Sequence, residues 1–393
     1  LLAVCLTAIL FLGSVGKGWG QPWTYNFGTG TGSFTSGEST TFLPSPPSGT
    51  ARVRIGAGGG SFNLENPGFV YLGTETELRG VASSSASVNK FSIYDYAAGK
   101  TGYLKFSVLL GDNMGGNTAS LGKWYLFIGD GACYSDGNDF TGAQVFTGIQ
   151  WDFSISGAIT TNYRNGGSWS DLGSTPFSQA NVYNVEIYFN NAASEQNYTR
   201  AGTSQSIPVS TQDIWVNGTL IGDNLAKALL GNDVNIDSWM FYGASSVGNV
   251  ANIFLDDIQY SNTLPLPTIS TPVPTSLSGF STTAGTASAP QTFTIGGTDL
   301  TTNLIITAPA NFEVRESGIG SYGTSISFPP ASGTVSTKTI EVRIAASVPV
   351  GSVAGDVVCS STGAASQTVA VSGTVEGCTG KPEAGTAAVT PDA

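Results

Sequence analysis

The sequence predicts an all-β protein built as two antiparallel sandwiches, a large one followed by a smaller one. Three observations predict it. Apolar residues recur at every second position in short runs, the step of a strand with one buried face. Those runs are rich in β-branched and aromatic side chains, which suit a pleated surface. Each run ends in Gly, Asn, Asp or Ser, residues that turn the chain. With 393 residues the chain has room for two or three domains, and a 40% hydrophobic share supplies real cores.

Residues 21–262 hold the larger sandwich. Its strands read as "GYLKFSVLL", "KWYLFIGDG", "AQVFTGIQWDFSIS", "NVYNVEIYFNN", "DIWVNGTLIG", "IDSWMFYG" and "NIFLDDIQY". Asn217-Gly218 suits a type I′ hairpin turn. One short helix is expected at 223–231, capped by Asp223 or Asn224 and stopped by Gly231.

Residues 263–275 carry Pro265, Pro267, Pro272 and Pro274, which lack ladder donors and favour a stiff, extended connector. Residues 276–375 then show about seven strands at the ~8–12-residue spacing of an immunoglobulin-like sandwich. This region has neither the paired cysteines nor the core Trp of antibody domains. Residues 376–393 read as the start of a further linker or domain.

Residues 1–20 are expected to be a truncated secretory signal. Residues 1–13 are almost wholly apolar, too short to span a bilayer, and Gly18 and Gly20 form a small-x-small cleavage pattern. Cleavage would leave Cys133, Cys359 and Cys378, an odd number that forms no complete disulfide framework. Burial must therefore hold the fold. Cys359, beside alternating valines, is expected to be a core thiol.

The formal charge is −12, so a phosphate backbone or an anionic membrane is repelled, and cations are the natural small partners. No later segment is long and apolar enough for membrane insertion. There is no His, which removes Ser-His-Asp and Cys-His nucleophiles and His-ligated zinc.

Asp256 and Asp257 interrupt an apolar strand in "NIFLDDIQYSN". Strict alternation puts Asp256 on one face with Phe254, Ile258 and Tyr260, and Asp257 on the other with Gln259. A buried Asp256 needs backbone N–H donors, a basic side chain or a cation, because an uncompensated carboxylate costs several kcal/mol. Calcium is one candidate, since it takes about six to eight oxygens from carboxylates and carbonyls. A second acidic stretch holds Asp130, Asp136 and Asp139 but lacks the EF-hand ligand pattern, and reads as a solvated turn. Glu75, Glu77 and Arg79 read as a surface salt-bridge patch.

Three pieces of the larger domain resemble laminin-G-like members of the concanavalin A-like jelly rolls. They are "YNVEIYFNN", the hairpin "DIWVNGTLIG" and the closing strand "IFLDDIQYSN". "WTYNFGTGTGSFTS" and "FSIYDYAAGKTGYLKFSV" resemble the N-terminal module of large secreted bacterial surface proteins. "TAPANFEVRES", "SISFPPASGTVS" and "TIEVRIAAS" resemble an immunoglobulin-like repeat from the same kind of protein. The resemblance implies a jelly roll whose closing-strand Asp holds structural calcium in many carbohydrate-binding relatives. Asp256 and Asp257 are the metal candidates on that ground. Glycosidases of this fold resemble one another in an E-x-D-x-x-E strand, which places two carboxylates on one face. No such motif occurs here, so the region is expected not to be an enzyme.

Sugar sites stack aromatic rings on pyranoses and add amide or charged hydrogen bonds. Trp124, Tyr125, Tyr134, Trp151, Trp169 and Trp215 are available, with Trp151 and Trp215 expected in the core. The Gly-rich "NYRNGGSWSDLG" brings Tyr163, Arg164, Asn165 and Trp169 into one loop, the best candidate platform. The expected function is extracellular binding or adhesion, to a glycan or a surface protein and not to nucleic acid. The alternatives are a purely structural stalk, or an accessory region of a hydrolase whose catalytic domain follows residue 393.

Overall fold

The computed structural model describes residues 22–56, 58–65, 72, 75–84, 89–111, 121–131, 142–173, 176–246 and 251–377. The expected signal segment and residues 378–393 lie outside them, as do Cys133, Tyr134, Asp136, Asp139 and Cys378. The chain groups into two compact units. One comprises residues up to Gln196 with Ser206–Leu264, the other Asn197–Gln205 with Pro265 onward.

The first unit is a jelly-roll sandwich of two antiparallel sheets. The nine-stranded sheet runs in space Thr219–Ala226, Thr211–Val216, Asn181–Asn190, Thr101–Leu110, Asn252–Ser261, Glu77–Val81, Ser61–Glu65, Gly32–Phe34, with Trp23–Tyr25 also paired to Asn252–Ser261. The eight-stranded sheet runs Ser168–Asp171, Ile159–Asn165, Val145–Phe153, Gly122–Gly129, Ser238–Ala244, Asn89–Tyr94, Thr50–Ile55, Gly37–Ser39. Alternate residues of the two sheets fill the space between them. Leu104, Phe106 and Val108 come from one; Phe91, Trp124, Leu126 and Phe241 come from the other. Phe106 meets Phe241 edge-on at 5.1 Å.

The strand Asn252–Ser261 departs from strict alternation. Its register against Thr101–Leu110 shifts between Asp256 and Gln259. Asp257 is the extra residue, with φ 52°. This β-bulge switches the parity of the strand. Ile253 and Leu255 face the core before it, Ile258 and Tyr260 after it. Asp256 therefore shares the outer face with Phe254, not with Ile258 and Tyr260 as strict alternation predicts. Without the bulge, Asp257 would enter the core and Ile258 would leave it. Burying Ile258 stabilises by ~1.5–3 kcal/mol, and a carboxylate in its place would cost several more. A left-handed Asp costs less than either. The bulge also sits where the strand changes neighbours: residues 252–255 pair with Glu77–Val81, and 258–260 with Trp23–Tyr25.

Asn217-Gly218 makes the expected tight turn, with φ 47° and 83°. The expected helix at 223–231 is absent. Thr219–Ala226 is a strand paired to Thr211–Val216, and Asn224 N–H donates to Asp213 Oδ1 at 2.8 Å. Beyond it, Ala228 and Leu230 donate to the carbonyls of Phe146 and Val145. A ladder partner already in place outweighs the modest helix propensity of "LAKALL". Glu77 and Arg79 also differ from a surface patch. Glu77 is buried, and Arg79 pairs with Glu65 at 3.2 Å while lying over the Phe254 ring.

The second unit packs two five-stranded sheets around Phe293, Ile306, Val342, Val369 and Cys359. Cys359 is a buried free thiol, and burial pushes its pKa up to about 12. The first strand of one sheet, Ser276–Thr283, runs parallel to the last, Gln367–Glu376. Part of the expected connector is also paired. Thr268–Ile269 adds to Gln291–Thr298, and Val273 N–H donates to Thr294 O at 3.1 Å. Prolines are tolerated there because this is a sheet edge.

On the outer face of one sheet, Glu341 accepts from Tyr322 Oη at 2.5 Å, Arg315 Nε at 2.7 Å and Ser317 Oγ at 2.9 Å. The guanidiniums of Arg343 and Arg315 flank the Tyr322 ring at 3.6 and 4.4 Å. The Tyr322 and Arg315 hydrogen bonds hold the Glu341 carboxyl down, at about 2.

Two outcomes are expected. Asp257→Val should destabilise the larger sandwich by about 1–3 kcal/mol, because a β-branched residue resists positive φ, and Asp257→Gly by less than half of that. All the tryptophans lie before residue 262, so Trp fluorescence in urea reads this unit alone. Equal losses would show that backbone geometry is not the constraint. For Glu341 the folded pKa lies below the ordinary carboxylate value. Its contribution is present above about pH 4.5 and lost as pH falls toward about 2. The urea midpoint at which Cys359 becomes accessible to a thiol reagent should therefore fall on acidification more in the native protein than in Glu341→Gln.

Candidate functional site

Two surfaces carry the residues singled out in the sequence, one on the outer face of each sheet of the larger sandwich. The first is built on the hairpin Ile159–Asn165 and Ser168–Asp171. Gly166, with φ 56°, closes the turn. Arg164 stands directly opposite Trp169. Its guanidinium carbon lies 4.9 Å from the Trp169 ring centroid, and its Nη1 donates to Gly167 O at 2.9 Å. Tyr163 pairs with the core residue Ile149, so it turns to the other side of the sheet. Asn165 has the same parity as Tyr163 and is exposed. The structure thus joins Arg164 with Trp169 and separates both from Tyr163 and Asn165.

Arg164 and Trp169 join a group that sequence reasoning assembled only in part. Trp169 lies 5.7 Å from Tyr125 and 6.2 Å from Phe127. Tyr125 meets Tyr242 edge-on at 5.4 Å, and Lys90 Nζ lies 5.9 Å from the Tyr242 ring. Phe127, Val145, Ala228 and Met240 are the buried floor; Tyr94, Tyr125, Trp169 and Tyr242 are part-exposed above it. Beside the rings, Asn162 Nδ2 donates to Gln150 Oε1 at 2.9 Å. The sequence signal for this group is that "KWYLFIG" and "SWMFYG" are apolar or aromatic at both parities. Such strands are covered on both faces.

Trp124 and Trp151 are fully buried, and Trp124 Nε1 donates to Ala251 O at 2.9 Å. Trp215 is not core. It stands opposite Glu186 on the outer face of the nine-stranded sheet and is half-buried.

That face holds the second surface, an open groove of about 430 Å³ lined by residues that include Thr24, Lys105, Ser107, Asn184, Glu186 and Asp257. Glu186 accepts from Tyr188 Oη at 2.6 Å and pairs with Lys105 at 3.4 Å. Ser107 Oγ lies 3.1 Å from Asp257 Oδ2 and 3.0 Å from Asn184 Oδ1, donating to one at a time. Asp257 is exposed. Asp256 is only 4% exposed. Burial raises the Asp256 pKa; the Asp257 N–H opposes the rise, while the Asp257 and Glu75 charges add to it. Among the described residues no three acidic, Cys or His side chains group closely enough to hold a metal ion.

Of the second acidic stretch, Asp130 is described. Burial and the nearby charge of Asp95 raise its pKa.

No protein-family model matches the chain, and no curated protein is similar to it in sequence. Among solved structures it is similar to "Cellulose induced protein, Cip1", at 13% identity over 58% of this chain and 97% of that one, with a TM-score of 0.33. It is similar to lectin II from Ulex europaeus at 12% identity over 58% and 97%, TM-score 0.29. A third is a carbohydrate esterase from Shiga toxin-encoding bacteriophage phi24B, at 9% identity over 58% and 89%, TM-score 0.34. At these values the likeness carries no inference about ligand or chemistry.

Proposed function

We propose that the larger sandwich binds carbohydrate without catalysis, through the part-exposed rings of Tyr125, Trp169 and Tyr242. The observation that carries this reading is their placement side by side on one sheet face, above a buried apolar floor and next to the Gln150–Asn162 amides. Aromatic rings cover the apolar face of a pyranose, and amides and Arg164 supply directional hydrogen bonds. A site on paired strands is held rigidly, so little ordering entropy is lost on binding.

The absence of His supports a non-catalytic role. So does the engagement of the groove carboxylates, Glu186 by Tyr188 and Lys105 and Asp257 by Ser107. The N-terminal apolar segment supports export, and the resemblance supports a place in a larger secreted or cell-surface adhesion protein. In that setting the second sandwich is an immunoglobulin-like spacer. We also propose that Asp256 contributes one carboxylate to a structural calcium ion. Its burial and the acidity of its neighbours Asp257 and Glu75 support this. Main-chain carbonyls would complete the ligand set, and the ion would neutralise the buried charge.

On a glycan array the purified chain should retain a defined set of sugars. Trp169→Ala or Tyr125→Ala should weaken that binding about tenfold, roughly 1.4 kcal/mol, while Trp215→Ala on the other sheet leaves it unchanged. No binding to any sugar would favour the structural stalk. For calcium, chelation should lower the Tm of the Trp-reported transition, and Asp256→Asn should abolish that sensitivity. A hundredfold excess of ligand over Kd is worth roughly 2.7 kcal/mol. If chelator has no effect while Asp256→Asn still costs about 1–3 kcal/mol, the carboxylate is held by hydrogen bonds alone.

A further inference from the structure

We infer that the ligand of this aromatic face is an acidic polysaccharide, a polymer of hexuronic acid units. The inference rests on the carbohydrate-binding reading of the same face. It starts from one row of the sheet. Asn162, Gln150, Tyr125, Tyr242, Lys90 and Arg54 stand opposite one another in unbroken register across six adjacent strands. Their neighbours along each strand, Ile149 and Trp151, Trp124 and Leu126, Phe241, Phe91 and Val53, face the core. The whole row therefore faces outward. It reads amide, amide, ring, ring, cation, cation, with Lys90 buried and Arg54 part-exposed. Arg164 and Trp169 lie beside its amide end.

Among the described residues, cations outnumber acids on this face, whereas the chain as a whole carries −12. Of the described acids there, Glu38 pairs with Arg52 and Asp152 with Lys123 at 2.8 Å, while the exposed Asp171, opposite Asn162 at the amide end, accepts from the Gly173 N–H at 2.9 Å. Arg164 has no acidic partner among the described residues; its Nη1 is used by the Gly167 carbonyl, and the rest of its planar donor fork remains for a ligand. Arg54 likewise pairs with no described acid, because Glu38, its neighbour in register, turns to Arg52. A guanidinium fork matches a carboxylate in two parallel hydrogen bonds.

Spacing favours a polymer over a short sugar. Arg164 and Arg54 lie on strands five steps apart, roughly 24 Å at the usual strand spacing. One strand step is close to the length of one pyranose unit in an extended chain. A chain laid across the strands would put ring faces over Tyr125 and Tyr242 and carboxylates at Arg164 and Arg54; Lys90 is buried beneath the row and contributes its charge only from below. Each contact raises the effective concentration for the next.

The test measures binding of the full chain, by affinity electrophoresis and calorimetry, to polygalacturonate, alginate, fully methyl-esterified polygalacturonate and single-stranded DNA. Expected is binding to at least one of the two polyuronates, at least tenfold tighter than to the methyl ester or to DNA. It should weaken at least fivefold in Arg164→Gln and further in Arg164→Gln/Arg54→Gln, and tetramers should bind at least tenfold more weakly than the polymer. An unchanged Trp-reported Tm in these variants keeps the comparison valid. Should either variant fold poorly, Arg164→Lys with its own Tm check replaces it, and a loss of at least threefold is expected. Equal binding of acid and ester, or indifference to both arginines, overturns the inference and leaves the carbohydrate reading standing. Equal binding of DNA also overturns it, as generic attraction to polyanions. Binding of neither polyuronate overturns it too. Loss of neutral-glycan retention in Trp169→Ala then separates failure of acid recognition from failure of the carbohydrate reading itself.

Discussion

The extra residue at Asp257 is the constraint on which the larger sandwich depends. One strand, Asn252–Ser261, lies in the middle of the nine-stranded sheet and pairs along one edge with two different strands in succession. A regular strand would present Asp257 and Gln259 to the core. Inserting one residue with positive φ turns the second half over, so that Ile258 and Tyr260 are buried instead. The local cost is a left-handed backbone at a residue type that tolerates it. The alternative is a carboxylate among Phe106, Tyr25 and their neighbours, which is far costlier. A chain with few charges accepts two adjacent acids here because neither enters the core. One is covered on the outer face and the other is held by Ser107 at the groove.

The two sheets have different outer faces. That of the nine-stranded sheet is polar and internally bonded: Lys105 pairs with Glu186 and lies over the Tyr103 ring, Tyr188 donates to Glu186, and Ser107 donates to Asn184 or Asp257. That of the eight-stranded sheet carries a second, smaller apolar cluster, with rings left part-exposed at its rim. Apolar surface left in water on a rigid sheet is costly, and placement beside guanidiniums that pair with no described acid is a poor way to hide it. The arrangement suits a ligand that is both amphipathic and anionic.

Much of this was legible. Period-2 runs located the strands of both sandwiches, Asn217-Gly218 marked its hairpin, and the valines around Cys359 marked a buried thiol. The failures have physical causes. "DNLAKALLG" has helical composition, but the exposed edge of Thr211–Val216 recruits it as a strand. "SLSGFSTT" lacks β-branched apolar alternation, yet the last strand of the second unit pairs with it in parallel. Face assignments along "NIFLDDIQY" failed beyond Asp256, because a bulge is a backbone event that leaves no mark in hydrophobic period. Trp215 followed the alternation of Ile214 and Val216 and so faced outward. Alternation was the right signal, and the error lay in taking every strand tryptophan as core.

The candidate platform shows the same limit more sharply. Tyr163, Arg164, Asn165 and Trp169 are close in sequence, and a loop would have presented them together. A hairpin cannot. Its two-residue period sends Tyr163 and Asn165 to one side and Arg164 and Trp169 to the other. In exchange it brings Arg164 and Trp169 alongside Tyr125 and Tyr242, about 40 and 80 residues away, by registering them in one sheet. Sequence proximity is thus a weak guide to a site on a sheet, because neighbours along the chain point apart and the partners across the strands are set by pairing. What the sequence does show is the strands whose two faces are both apolar, and on a sandwich the outer apolar face is where a ligand has reason to sit.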